Sequence, residues 1–123
     1  MANVVERYLQ TMVAHDFDAM AACLAEDVIR VGPFGDTYTR RAPYVEMLAQ
    51  LMPTLPGYSM RIDRVVELEK DRLVLVELTE VVEMDGAPLA TPEALVFELD
   101  PDGLIAHISI YIQSLPRERP AAP

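Results

Sequence analysis

The hydrophobic period of this chain changes once, near residue 57, and that switch decides its fold class. Before it, apolar residues recur at helical spacing. After it, they alternate with polar ones. Val5, Tyr8, Met12 and Val13 predict an amphipathic helix over 3–14. Asp16 is placed to cap a second helix with Phe17, Met20, Ala21 and Leu24 along one stripe and Cys23 as core filler. Asp27 to Val31 reads as a short strand, and Gly32-Pro33-Phe34-Gly35-Asp36 breaks regular structure. Pro43 suits the first turn of a third helix carrying Val45, Met47, Leu48, Leu51 and Met52, which Pro53, Pro56 and Gly57 end. Strands are then predicted over 58–69, 72–84, 88–99 and 104–114, with turns at Asp71, at Asp85-Gly86 and at Asp100 to Gly103.

Helices first and an antiparallel run of strands afterwards define an α+β class. A curved, mostly antiparallel sheet packed on three N-terminal helices makes a cone with one open end. Such a cone leaves an apolar cavity with a few polar groups. Residues 1–115 read as a single domain, and the Pro- and Arg-rich residues 116–123 as a disordered tail.

Composition removes several function classes. At 123 residues and 51% apolar content, one domain can bury a core. No apolar run approaches the roughly 20 residues of a membrane span. The start, Met1 to Glu6, lacks the basic and apolar blocks of a secretion signal. The single Cys23 excludes an internal disulfide and fits a reducing cytoplasm. A net charge of −10 argues against nucleic acid and anionic membranes, and Arg40-Arg41 is too short a basic cluster to change this. There is no Cys/His cluster, Gly-rich phosphate loop or G-x-S-x-G elbow, and His15 and His107 lack metal-ligand spacing, so neither metal nor cofactor is expected. His15 is expected in a solvated turn, and His107 on the sheet surface or at an interface.

Two glutamates interrupt two otherwise apolar strand faces. The even positions of 72–84 are Val74, Val76, Leu78, Glu80, Val82 and Met84; the odd positions of 88–99 are Leu89, Thr91, Glu93, Leu95, Phe97 and Leu99. A four-residue loop, Asp85 to Pro88, sets Glu80 opposite Glu93. A two-residue loop sets Glu80 opposite Thr91 and keeps both glutamates on one face, whereas a three-residue loop separates them. Two carboxylates on a shared, dry face repel and lose hydration, so at least one holds its proton more tightly. That pattern suits proton transfer. On the last strand, Ile108, Ile110 and Ile112 share the core-facing phase.

The order helix, helix, short strand, helix, four long strands resembles the nuclear transport factor 2-like superfamily. Within it, the chain is most similar to the ketosteroid isomerase and SnoaL-like polyketide cyclase branch. Val4-Val5-Glu6-Arg7-Tyr8, Asp16-Phe17-Asp18, Leu24-Ala25-Glu26-Asp27, Gly32-Pro33-Phe34-Gly35 and Asp102-Gly103-Leu104-Ile105 carry the resemblance, over roughly residues 4–114. It implies a cystatin-like roll, a homodimer through the outer sheet face, and an inward phase that coincides with Leu78, Glu80, Val82, Glu93, Leu95, Phe97, Ile108, Ile110 and Ile112. Position by position, the tyrosine of a ketosteroid isomerase falls on Tyr8. The general-base aspartate falls on Gly32, and the oxyanion-binding aspartic acid on Leu95. Two of those three groups are therefore absent. The last-strand aspartate of limonene epoxide hydrolases falls on Ile110, so their Asp-Arg-Asp arrangement is missing as well.

The candidate roles follow. Glu80 and Glu93 are base and acid, and Tyr8 donates to a developing oxyanion. Arg30 shares strand parity with Val28 and Gly32; it lines the cavity or neutralises the glutamates in an ion network. Tyr38, Tyr58 and Met60 are placed at the cavity mouth. The expected activity is metal- and cofactor-free isomerisation or cyclisation of an apolar, oxygenated small molecule such as a polyketide or steroid-like ring. The alternatives are a non-catalytic ligand-binding or dimerisation module of the same fold, or an epoxide hydrolase-like activity.

Overall fold

Helix α1 (Ala2–Val13) turns Val5, Tyr8, Leu9 and Met12 into the core, an i, i+3, i+4, i+7 stripe. Val13, expected on that stripe, stands 40% exposed because it falls one position round the helix from Met12. Helix α2 (Phe17–Ala21) starts where Asp16 accepts a hydrogen bond from the Ala19 amide at 3.2 Å. It is shorter than predicted. Cys23 is buried in the turn that follows, and Leu24 already opens strand β1 (Leu24–Val31), three residues before the expected start. Strand β2 (Thr37–Tyr38) was not legible; it folds back on β1, pairing Arg30 with Tyr38. Helix α3 (Arg41–Leu51) buries Tyr44 and Leu48 and ends in a short 3-10 turn over Met52–Thr54. The structure, a computed structural model, describes residues 1–113, so the Pro-rich tail expected from residue 116 lies outside the described residues. Among them, no helix is long and apolar enough to cross a membrane.

Strands β3 (Ser59–Leu68), β4 (Leu73–Met84), β5 (Ala87–Leu99) and β6 (Ile105–Ile112) complete a six-stranded sheet of order β2-β1-β6-β5-β4-β3. All pairings are antiparallel except β1 with β6. The class is α+β, a curled open sheet packed on three helices. Val74, Val76, Leu78, Phe97, Ile105 and Ile108 form its inner wall with at most 1% exposure. Ile105 joins Ile108 on that wall because Ala106 is an extra residue between the Leu99–Ile105 and Glu98–His107 pairs, which shifts the phase.

The β4–β5 hairpin fixes the register that matters. Met84 pairs with Ala87, so the loop is the two residues Asp85 and Gly86, not the four-residue alternative. Both have positive φ, 54° and 79°, as a type I′ turn requires. Glu80 therefore faces Thr91, and Glu93 faces Leu78. The glutamates are diagonal neighbours on one face, within reach for long side chains.

Candidate active site

The inner wall of the cone encloses a hollow of about 210 Å³ between the sheet and helices α1 and α3. Nine of the candidate site residues line it: Tyr8, Arg30, Met60, Leu78, Glu80, Glu93, Leu95, Ile110 and Ile112. Tyr58 and Val82 line a second hollow of about 200 Å³, whose wall also includes Glu80 and Glu93. Phe97 and Ile108 keep the inward phase but are fully buried and line neither hollow; Phe97 packs edge-on against Tyr8, with ring centres 5.9 Å apart. Tyr38 packs against Tyr44, 5.8 Å between centres, and faces a different depression. Gly32 lines neither hollow, for a steric reason. A Cβ there would lie 2.3 Å from Asp36 Oδ1 and 2.6 Å from Arg30 Nη1. The position on which the resemblance sets a general-base aspartate is thus filled by a neighbouring ion pair. Larger depressions of about 410 and 550 Å³ lie away from the glutamates, and neither brings two carboxylates together.

The carboxylates sit at the junction of the two hollows. Tyr58, arriving at the start of β3, donates its hydroxyl hydrogen to Glu80 Oε2. Burial, then the Glu80 charge, holds the Tyr58 hydroxyl protonated by raising its pKa. Glu93 has lost hydration, and Glu80 is both its hydrogen-bond partner and a like charge. Together these push Glu93 up from 4.5 to about 9, with Arg30 pulling weakly the other way. A carboxyl raised to about 9 keeps its proton near neutral pH.

Facing them from the helices is a cluster of donors. The Tyr8 and Tyr44 hydroxyls are hydrogen-bonded to each other. Burial raises the pKa of both, so both remain protonated donors. Arg30 lies with its guanidinium 5.5 Å from the centre of the Tyr44 ring. Its Nη1 donates to Asp36 Oδ2 at 2.5 Å, and its Nε is buried with no hydrogen-bond partner. Burial opposes the Arg30 charge, but Tyr44 and Asp36 outweigh it and raise its pKa. Burial works on Asp36 in the opposite sense to Arg30, which wins and lowers the Asp36 pKa. The ion-network alternative therefore takes a different form. Among the described residues, Arg30 pairs with Asp36, and no ion pair joins it to Glu80 or Glu93.

Sequence reasoning missed Tyr44 and Asp36. Tyr44, Leu48 and Met52 repeat every fourth residue, and that stripe is the signal that could have found the tyrosine. Asp36 sits in an irregular loop, where periodicity carries no information. Among the described residues, no group of three or more His, Cys, Asp or Glu side chains could hold a metal.

A hollow, two neighbouring carboxyl groups on its wall and a set of hydroxyl and guanidinium groups in the same lining make up the candidate site. The chain belongs to the SnoaL-like domain family, whose model matches residues 5–108. No curated protein matches it significantly. Among solved structures, a protein with a ketosteroid isomerase-like fold from Catenulispora acidiphila, in complex with trimethylamine, is similar at TM-score 0.78 and 18% identity, over 94% of this chain and 88% of that one. An LEH-like epoxide hydrolase of M. tuberculosis is similar at TM-score 0.77 and 24% identity, over 89% and 80%. A protein of unknown function with a cystatin-like fold from Methylobium petroleophilum is similar at TM-score 0.78 and 22% identity, over 97% and 79%. At these identities the likeness concerns the fold.

Proposed function

We propose that this protein is an acid/base enzyme that moves a proton on a carbon next to a carbonyl, in an isomerisation or cyclisation of a small apolar oxygenated molecule. One observation carries the reading: Glu93, raised to about 9, shares a wall of the hollow with Glu80. One carboxyl accepts the substrate proton while its neighbour returns one elsewhere. Tyr8, Tyr44 and Arg30 line the same hollow, and their role is to stabilise the negative charge that develops on the carbonyl oxygen. An epoxide hydrolase-like reaction is less well supported, because Ile110 stands where that arrangement needs an aspartate and Arg30 is committed to Asp36. A homodimer through the outer sheet face is part of the proposal. Ile29, Val66, Leu68 and Tyr111 are exposed on the strands of that sheet.

Hydrogen–deuterium exchange at the carbon next to the carbonyl of simple cyclic ketones, followed by NMR, tests the reading. Glu80→Gln and Glu93→Gln are each expected to slow exchange at least tenfold with the fold intact. Exchange that survives both substitutions contradicts it, and binding without exchange in the unaltered protein favours a non-catalytic binding module.

A further inference from the structure

Two carboxyl groups of the same chemistry line one wall, yet their partners differ. Glu80 receives a hydrogen bond from the Tyr58 hydroxyl on its Oε2. Among the described residues, no hydroxyl or guanidinium group donates to Glu93, whose hydrogen-bond partner is Glu80 itself. The strand register explains why the donor reaches one and not the other. Met60 pairs with Glu80 across β3 and β4. Tyr58 stands two residues before Met60, so it is the diagonal neighbour of Glu80 on the same face, within reach of a long side chain. Glu93 lies one strand further on, paired with Leu78. The segment leading into Tyr58 is anchored as well, because the Glu83 amide donates to the Pro56 carbonyl at 2.8 Å. The half-buried Tyr58 lines the hollow that includes Val82 and Leu89, whereas Tyr8, Tyr44 and Arg30 line the other one. Tyr58 therefore holds Glu80 without belonging to the lining in which the carbonyl meets its donors.

We propose that Tyr58 is a positioning residue that divides the labour of the pair: by donating to Glu80 it makes Glu80 the proton acceptor and leaves Glu93 as the proton donor. This rests on the acid/base reading above, in which the two roles are interchangeable. The physical basis is the difference between the two partners. A donor aimed at a carboxyl oxygen stabilises the charged form over the neutral one, and a charge on one carboxyl favours the proton on its neighbour. Glu93, pushed up to about 9, keeps that proton near neutral pH. Burial, then the Glu80 charge, keeps the Tyr58 hydroxyl a donor. The transfer balances within the pair. Glu80 takes the hydrogen on the carbon next to the carbonyl as a proton, and the electrons of the C–H bond enter the enolate. Glu93 gives its own proton to another atom of that enolate. The proton on Glu80 then passes to Glu93, which restores the starting state.

Exchange of cyclohexanone hydrogens in deuterium oxide by the full chain tests this, with kcat and KM measured separately. Tyr58→Phe keeps the ring and removes the donor. It is expected to lower kcat about tenfold and to leave KM within about twofold. Tyr58→Leu removes the donor in a different shape and takes its place should Tyr58→Phe fail to fold. Glu80→Gln is expected to slow exchange about tenfold more than Glu93→Gln does. Added to Glu80→Gln, Tyr58→Phe should cost less than about twofold, whereas added to Glu93→Gln it should keep roughly its full cost. Where Glu80→Gln leaves no exchange to read, the kcat and KM of the Tyr58 variant decide. An unchanged kcat overturns the assignment, and a raised KM at unchanged kcat makes Tyr58 a ligand contact instead. A deeper loss for Glu93→Gln reverses the roles, and a full cost on the Glu80→Gln background shows that Tyr58 does not act through Glu80; either overturns the proposal and leaves the acid/base reading standing. No exchange by the unaltered protein, or exchange that survives both glutamate substitutions, overturns both.

Discussion

The two faces of the β3–β6 sheet handle charge in opposite ways. On the outer face, unlike charges are paired. Arg61 meets Asp63 and Arg64 meets Glu77, each at 2.6 Å. Arg61, Arg64 and Glu77 are largely exposed; the Arg64 and Glu77 side chains retain 68% and 53% of their exposure. Water would solvate them without a partner, so pairing adds little. On the inner face, Glu80 and Glu93 are like groups, half-buried, and among the described residues no cation forms an ion pair with either. In the proposed function, the like-charged pair is the place where the sheet gives up stability for chemistry.

The largest expected effect tests the donors that face the pair. Replacing both Tyr8 and Tyr44 with phenylalanine removes the hydroxyls that meet in the hollow and should lower turnover about a hundredfold. If exchange kinetics barely change, the inner face holds charge without using it. A smaller effect is thermodynamic. A carboxyl raised from 4.5 to about 9 lends the folded state an advantage that is complete below pH 4.5 and is lost as pH rises through about 9. Denaturant titrations should therefore show stability declining across that window. Glu93→Gln keeps a donor for Glu80 without the like charge. It should flatten the decline and raise stability at pH 8 by roughly 1–2 kcal/mol, after discounting for partial exposure. The smallest effect belongs to the outer face: Arg64→Ala or Glu77→Ala should cost under about 0.5 kcal/mol, and less in high salt. An outer-face loss as large as the inner-face gain would erase the contrast.

How much of this was legible depends on what set each feature. The helix-to-strand switch and the inward phase of Glu80 and Glu93 come from local periodicity, and the strands run within a few residues of their predicted bounds. The exact partners of the glutamates were not fixed. Loops of two and four residues give the same face, and only the positive φ of Asp85 and Gly86 selects the two-residue turn. Depth is likewise invisible to periodicity. Phe97 and Leu95 share a phase, yet Leu95 lines the hollow and Phe97 lies beneath Tyr8. Arg30 was placed correctly on its strand, but its partner Asp36 comes from a loop brought back by the β1–β2 turn, where Gly32 N–H donates to the Asp36 carbonyl at 2.7 Å. Such partners are set by tertiary geometry, and Gly32 contributes by having no side chain where that pair lies.

The contrast between the faces reduces to where one proton resides. Carbon-13 NMR of the Glu93 carboxyl, assigned through Glu93→Gln and followed from pH 4 to pH 11, reads it directly. The account predicts a midpoint near 9 for that carboxyl. A Glu93 midpoint near 4.5 would mean the inner wall is as wet as the outer one and would contradict the proposed chemistry.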